Sequence, residues 1–175
     1  MVCAVPTIGV AVAIPEPWAT RLQDYRTALG DTTAAQIPTH ITLIPPVEVE
    51  DGQVPAIEQH LAEASASLPA FRIHLRGTGT FRPVSPVVFV TVVEGISQIE
   101  VLAASLRSGP LAVELSFPFH PHVTIAHHLS DDLLDKAFGE LADFDCEFEA
   151  THFHLYVHED DTGWRPAREF PLAIP

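Results

Sequence analysis

Apolar and polar positions alternate with two periods along this chain, and the switches between them predict the elements. Residues 2–14 are a nearly unbroken apolar run rich in Val, Ile and Ala, which predicts a buried strand ended by Pro15 and Pro17. Trp18, Leu22, Tyr25 and Leu29 recur every three or four residues, predicting a helix that opens at Pro17 and is capped by Gly30. Residues 40–44 predict a short strand stopped by Pro45-Pro46. Ile57, Leu61, Ala64 and Leu68 predict a helix over 54–68, and Phe71, Ile73 and Leu75 alternate as a half-exposed strand. Gly77-Thr78-Gly79-Thr80-Phe81 reads as a loop. Residues 87–93 read as a buried strand, 95–108 as a helix ended by Gly109-Pro110, and 122–126 as another strand. Asp131-Asp132 open a helix whose acidic start suits the helix dipole. Residues 146–158 read as one long alternating strand, joined by a turn at 159–163 to a last strand over 164–172.

The predicted order repeats: strand, helix, strand, helix, strand over about 2–76, and again over about 87–158. This predicts an α+β chain, 1–175 forming one domain. Two pseudo-twofold-related lobes, approximately 1–80 and 81–175, would have largely antiparallel sheets flanked by helices around a central cleft.

The same short pattern occupies the third place of each repeat. His40-Ile41-Thr42-Leu43 and His122-Val123-Thr124-Ile125 both read His, apolar, Thr, apolar. Side chains two apart on a strand share a face. Each strand can therefore pack its apolar side on a core and present an imidazole and a hydroxyl to the cleft. Chance placement of His and Thr gives about 0.2 such quartets, so finding two in matching places is informative. His40 and His122 alone among the ten histidines carry it. Two imidazoles around one phosphate suit acid–base chemistry, because the pKa of His lies near neutrality. Thr42 and Thr124 would donate to the non-bridging oxygens.

Composition narrows the ligand. Nine Lys and Arg stand against 23 Asp and Glu, a net charge of −14. Gripping a long nucleic acid needs a basic stripe, and none is visible. A small phosphodiester, on a nucleotide or a chain terminus, is the expected partner. Phe81, Phe89 and Phe119 are candidates for stacking a nucleobase, and Arg76, Arg82 and Arg165 for binding phosphate. His120, His127, His128, His152, His154 and His158 lack the spacing of a zinc site, so neither metal nor other cofactor is expected. Cys3 and Cys146 read as reduced thiols of a cytoplasmic protein. Residues 1–14 lack a basic start and read as a strand instead of a signal peptide. A monomer without membrane attachment is expected.

The paired signature resembles the two-histidine (2H) phosphoesterase superfamily, and within it the 2′-5′ RNA ligase / RNA 2′,3′-cyclic phosphodiesterase-like group. The residues that carry the resemblance are 39–43, the glycine-rich segment 75–81, and 121–126. The resemblance implies a bilobal fold and metal-independent hydrolysis of a 2′,3′-cyclic or 2′-5′-linked nucleotide phosphate, with His40 and His122 catalytic. The alternatives are a non-catalytic module that senses a nucleotide or RNA end, and 2′-5′ RNA ligation at the same site.

Overall fold

A computed structural model describes residues 5–175. Cys3 and the first residues of the expected opening strand lie outside them. In chain order the elements are β1 (Thr7–Ala13), α1 (Trp18–Leu29), β2 (His40–Glu48), α2 (Val54–Ser67), β3 (Phe71–Thr80) and β4 (Val87–Glu94). Then follow α3 (Ile96–Leu106), β5 (His122–His127), α4 (Asp131–Glu140), β6 (Asp145–Ala150), β7 (His152–Glu159) and β8 (Gly163–Pro171). Local signals account for the boundaries. Gly30 caps α1 at φ 107°, a left-handed conformation that glycine adopts at no steric cost. Ser130 caps α4 by accepting from the Leu133 amide, and Asp131 and Asp132 fill its first turn.

The strands form one antiparallel sheet in the order β6-β3-β4-β5-β2-β1-β7-β8. It is bilobal: β6-β3-β4-β5 make one half and β2-β1-β7-β8 the other. The halves meet where β2 and β5 pair antiparallel at Ile41 and Val123. One face of the sheet is the core side, carrying Ile8, Val10, Val12, Ile41, Leu43, Val123, Ile125, Phe153 and Leu155, all at most 2% exposed. The helices cross over: α1 packs behind β5 and α3 behind β2, while α2 and α4 pack behind β8 and β3–β5. The pseudo-twofold relation expected from the repeat is thus present, with helices exchanged across the seam. No helix of the described residues is long and apolar enough to cross a membrane.

Four expectations change. The division near residue 80 does not follow the sheet: β3 lies beside β4 in the second half, and β7 and β8 return to β1 in the first. Residues 146–158 are two strands that break at Thr151; β6 pairs with β3, and β7 with β1 and β8. β2 continues through Pro45-Pro46 to Glu48, because Gly9 alone faces both prolines in a bulge that needs no amide from them. Gly77 and Gly79 lie within β3, where a second bulge opposite Thr91 takes Gly77 at φ +72°.

Candidate functional site

The Ile41–Val123 pair fixes the site. Its register sets His40 across from Thr124 and Thr42 across from His122. All four lie on the face opposite the buried Ile41 and Val123, and all four are half-buried. Directly opposed Cα atoms in such a ladder are about 4.5–5.5 Å apart. Two imidazoles and two hydroxyls therefore form a diagonal square over the seam, as the strand alternation predicts.

The two rings are held alike. His40 Nδ1 stands 2.6 Å from the Pro38 carbonyl, and His122 Nδ1 stands 2.6 Å from the His120 carbonyl. A carbonyl only accepts, so Nδ1 carries the proton in both rings and the neutral form keeps a lone pair on Nε2. His40 Nε2 accepts from the Thr42 hydroxyl at 3.1 Å. Burial pushes the His40 imidazole below its ordinary value; the Pro38 carbonyl opposes this, and the charge of Arg26 adds to it. Burial also lowers His122; the His120 carbonyl opposes it, and the neighbouring His120 and His40 rings add to it. Both imidazoles are thus biased towards the neutral form, and an anion between them would favour a proton on one.

Phe81 meets the His122 ring edge to face at 4.9 Å, and Phe89 lies 4.5 Å from Phe81 and 5.3 Å from His122. A Cβ on Gly79 would lie 2.6 Å from the Phe89 ring, so only glycine lets that ring lie across β3. Phe119 is not brought to this cluster; it packs against the core under the guanidinium of Arg107 at 5.0 Å. The candidate arginines are turned to carboxylates: Arg82 to Asp135 at 2.9 Å, Arg165 to Glu159 at 2.8 Å, and Arg76 to Asp145 at 3.9 Å.

Beside His40 a recess of about 200 Å³ opens on the same face of β1, β2 and β7. Its floor is Gly9 and Ala11, and Tyr156 and Trp164 wall it opposite His40 and Thr42. Sequence reading missed both aromatics. Tyr156 follows His152 and His154 on alternate positions of β7, so its parity places it on the polar face.

Behind His40 lies a second missed feature, the buried pair Arg26–Asp31 at 3.3 Å. Arg26 also donates to the Ile37 carbonyl at 2.7 Å and the Thr39 hydroxyl at 3.4 Å, tying down the residues on either side of Pro38. Burial acts to raise the Asp31 carboxyl, but Thr33, Arg26 and His127 outweigh it and hold it below its ordinary value. The signal was a charge on the apolar stripe: Arg26 is four residues from Leu22 and three from Leu29.

An antiparallel sheet in two halves, each giving one His-x-Thr strand to a shared face, defines the two-histidine phosphoesterase class. The chain belongs to the 2′-5′ RNA ligase superfamily, whose sequence profile matches residues 14–162. A Bacillus licheniformis protein with a provisional phosphoesterase name is 31% identical over 145 residues, covering 82% of this chain and 85% of its own. A Bacillus thuringiensis protein named in the same way is equally similar. Among solved structures, E. coli LigT in its apo form superposes with a TM-score of 0.71 at 19% identity, covering 97% of this chain and 99% of LigT. LigT has also been solved with 3′-AMP and with phosphate. TT0787 of Thermus thermophilus has a TM-score of 0.70 at 22% identity, covering 96% of this chain and 98% of its own. Family and fold together support phosphoesterase-type activity.

Proposed function

We propose that this chain is a metal-independent phosphodiesterase that hydrolyses a 2′,3′-cyclic or 2′-5′-linked nucleotide phosphate. The observation that carries the reading is the square of His40, Thr42, His122 and Thr124 on one sheet face, with both Nδ1 atoms held by backbone carbonyls. A phosphodiester between the rings keeps a proton on one Nε2 and leaves the other free. The free nitrogen takes a proton from water as its oxygen bonds to phosphorus. The bond to the leaving ribose oxygen breaks, and that oxygen takes the proton from the imidazolium across the cleft. Thr42 and Thr124 donate to the non-bridging oxygens as charge gathers there. The product is a phosphomonoester, and the two rings have exchanged protonation states.

The aromatic recess gives the nucleoside a place. Tyr156 and Trp164 supply aromatic surface for a base, with Trp164 packed beside Gly9 on the floor of the recess. Phe81 supports the His122 ring instead. The binding of 3′-AMP and phosphate by E. coli LigT fits a small nucleotide ligand. Turnover of a nucleoside 2′,3′-cyclic phosphate in the presence of EDTA is expected. Saturable binding without turnover would identify a sensing module, and joined RNA ends would identify a ligase.

A further inference from the structure

β7 places His152 and His154 two residues apart, hence on one face. β8 sets Glu169 directly across from His154. One donor atom from each of these three side chains lies within 4.8 Å of the others. His152 Nδ1 stands 3.5 Å from one Glu169 oxygen, and His154 Nε2 stands 4.0 Å from the other. Because His154 pairs with Ala11, and Ala11 with Thr42, this trio shares the face of the histidine pair. Continuing the register sets His152 across Ala13 from His40, about 10 Å away at two strand spacings.

We propose that His152, His154 and Glu169 bind one transition-metal cation of the Zn²⁺ class, at a site separate from the histidine pair and not needed for turnover.

Two imidazoles and a carboxylate are a recurrent donor set for Zn²⁺, whereas Mg²⁺ and Ca²⁺ prefer oxygen alone. Bonds of about 2.0–2.2 Å in a tetrahedral site separate donors by about 3.4 Å. His152 Nδ1 already stands at that spacing from one Glu169 oxygen and His154 Nε2 at 4.0 Å from the other, and with one donor atom from each residue the set, all within 4.8 Å, closes towards about 3.4 Å on binding. The imidazole of His154 is uncommitted: its Nδ1 is buried without a partner among the described residues, and Nε2 is beyond hydrogen-bond reach of Glu169. Thr151 Oγ1, 2.9 Å from His152 Nδ1, releases that nitrogen by a turn about its own side-chain bond. Three protein donors leave a coordination position open to solvent. The net charge of −14 draws cations to the surface.

Calorimetric titration of the full chain with ZnCl₂ tests this, since it reads metal binding without reference to hydrolysis. One Zn²⁺ per chain is expected, undisturbed by excess Mg²⁺. Losing a partner behind a ligand already weakens metal sites about 10–100-fold, so removing a ligand in His152→Ala should cost at least as much. Glu169→Gln should weaken binding likewise, and His40→Ala should not. Both ligand side chains are partly or largely exposed, and circular dichroism checks that the variants fold. The site is overturned if wild-type protein takes up no Zn²⁺, if both ligand variants bind as wild type does, or if His40→Ala abolishes binding, which would put the metal at the histidine pair.

Discussion

His40 and His122 share an anchor but not an environment. His40 faces Thr42 and sits in front of Arg26, whereas His122 leans on Phe81 and Phe89. In the proposed reaction each ring handles one proton, so His40→Ala and His122→Ala should each lower turnover about 10²–10⁴-fold. Near-wild-type rates in either variant would reject the role. The pair also predicts a pH dependence. Both rings are lowered in the free protein, so the free site holds few protons at pH 7. An anion between them raises the pKa of at least one ring, so binding takes up a proton. Affinity should then rise as pH falls through the raised value and level off below the free one. Sulfate does not titrate in this range. Its dissociation constant should increase from pH 6 to pH 8, and its binding enthalpy should vary with buffer ionisation. A pH-independent affinity would contradict the coupling.

At the scale of elements, two supports behind the square are open to test. Gly79→Ala puts a Cβ 2.6 Å from the Phe89 ring, which touches both Phe81 and His122. Overpacking of this kind costs about 1–3 kcal/mol, and displacement of Phe89 should reduce turnover beyond any loss of stability. Thermal melts and single-turnover rates on the same variant separate the two effects. Arg26→Ala takes the buried guanidinium from Asp31, which keeps Thr33 and His127 as partners, and should cost about 1–3 kcal/mol. Replacing both by apolar residues, Arg26→Met with Asp31→Leu, should recover much of that in denaturant midpoint. Both supports involve contacts between elements, which a single strand or helix pattern does not contain. Period and parity showed which face His40 and Thr42 take, and they carried most element boundaries. The break at Thr151 was also legible: Cys146, Phe148 and Ala150 are apolar on even positions, and Phe153, Leu155 and Val157 on odd ones. A phase change inside an alternating run marks a change of partner. The identity of that partner depends on pairing across the sheet, which brings Glu169 to His154 and Trp164 beside Gly9.

At the scale of the whole molecule, the repeat suggests two lobes that fold in turn, yet the chain interleaves them. β3 leaves the first repeat to pair with β4 and β6, and β7 and β8 cross back to β1. Helices α1 and α3 each pack behind the other half. A fragment ending at residue 80 would keep β3 without its neighbours, β1 without β7 and β2 without β5, exposing unpaired strand edges and much of the core face. Cutting there should give two fragments that do not fold alone. The intact chain should melt as one unit, because each half supplies the other's cover. The two tryptophans report on opposite halves: Trp18 lies on α1, behind β5, and Trp164 lies on β8. Single-tryptophan variants Trp18→Phe and Trp164→Phe should therefore show fluorescence transitions that coincide with loss of helical circular dichroism. Separate midpoints would show independent lobes. Coincident ones would mean that the seam at Ile41–Val123, which aligns the histidines, is as stable as the molecule itself.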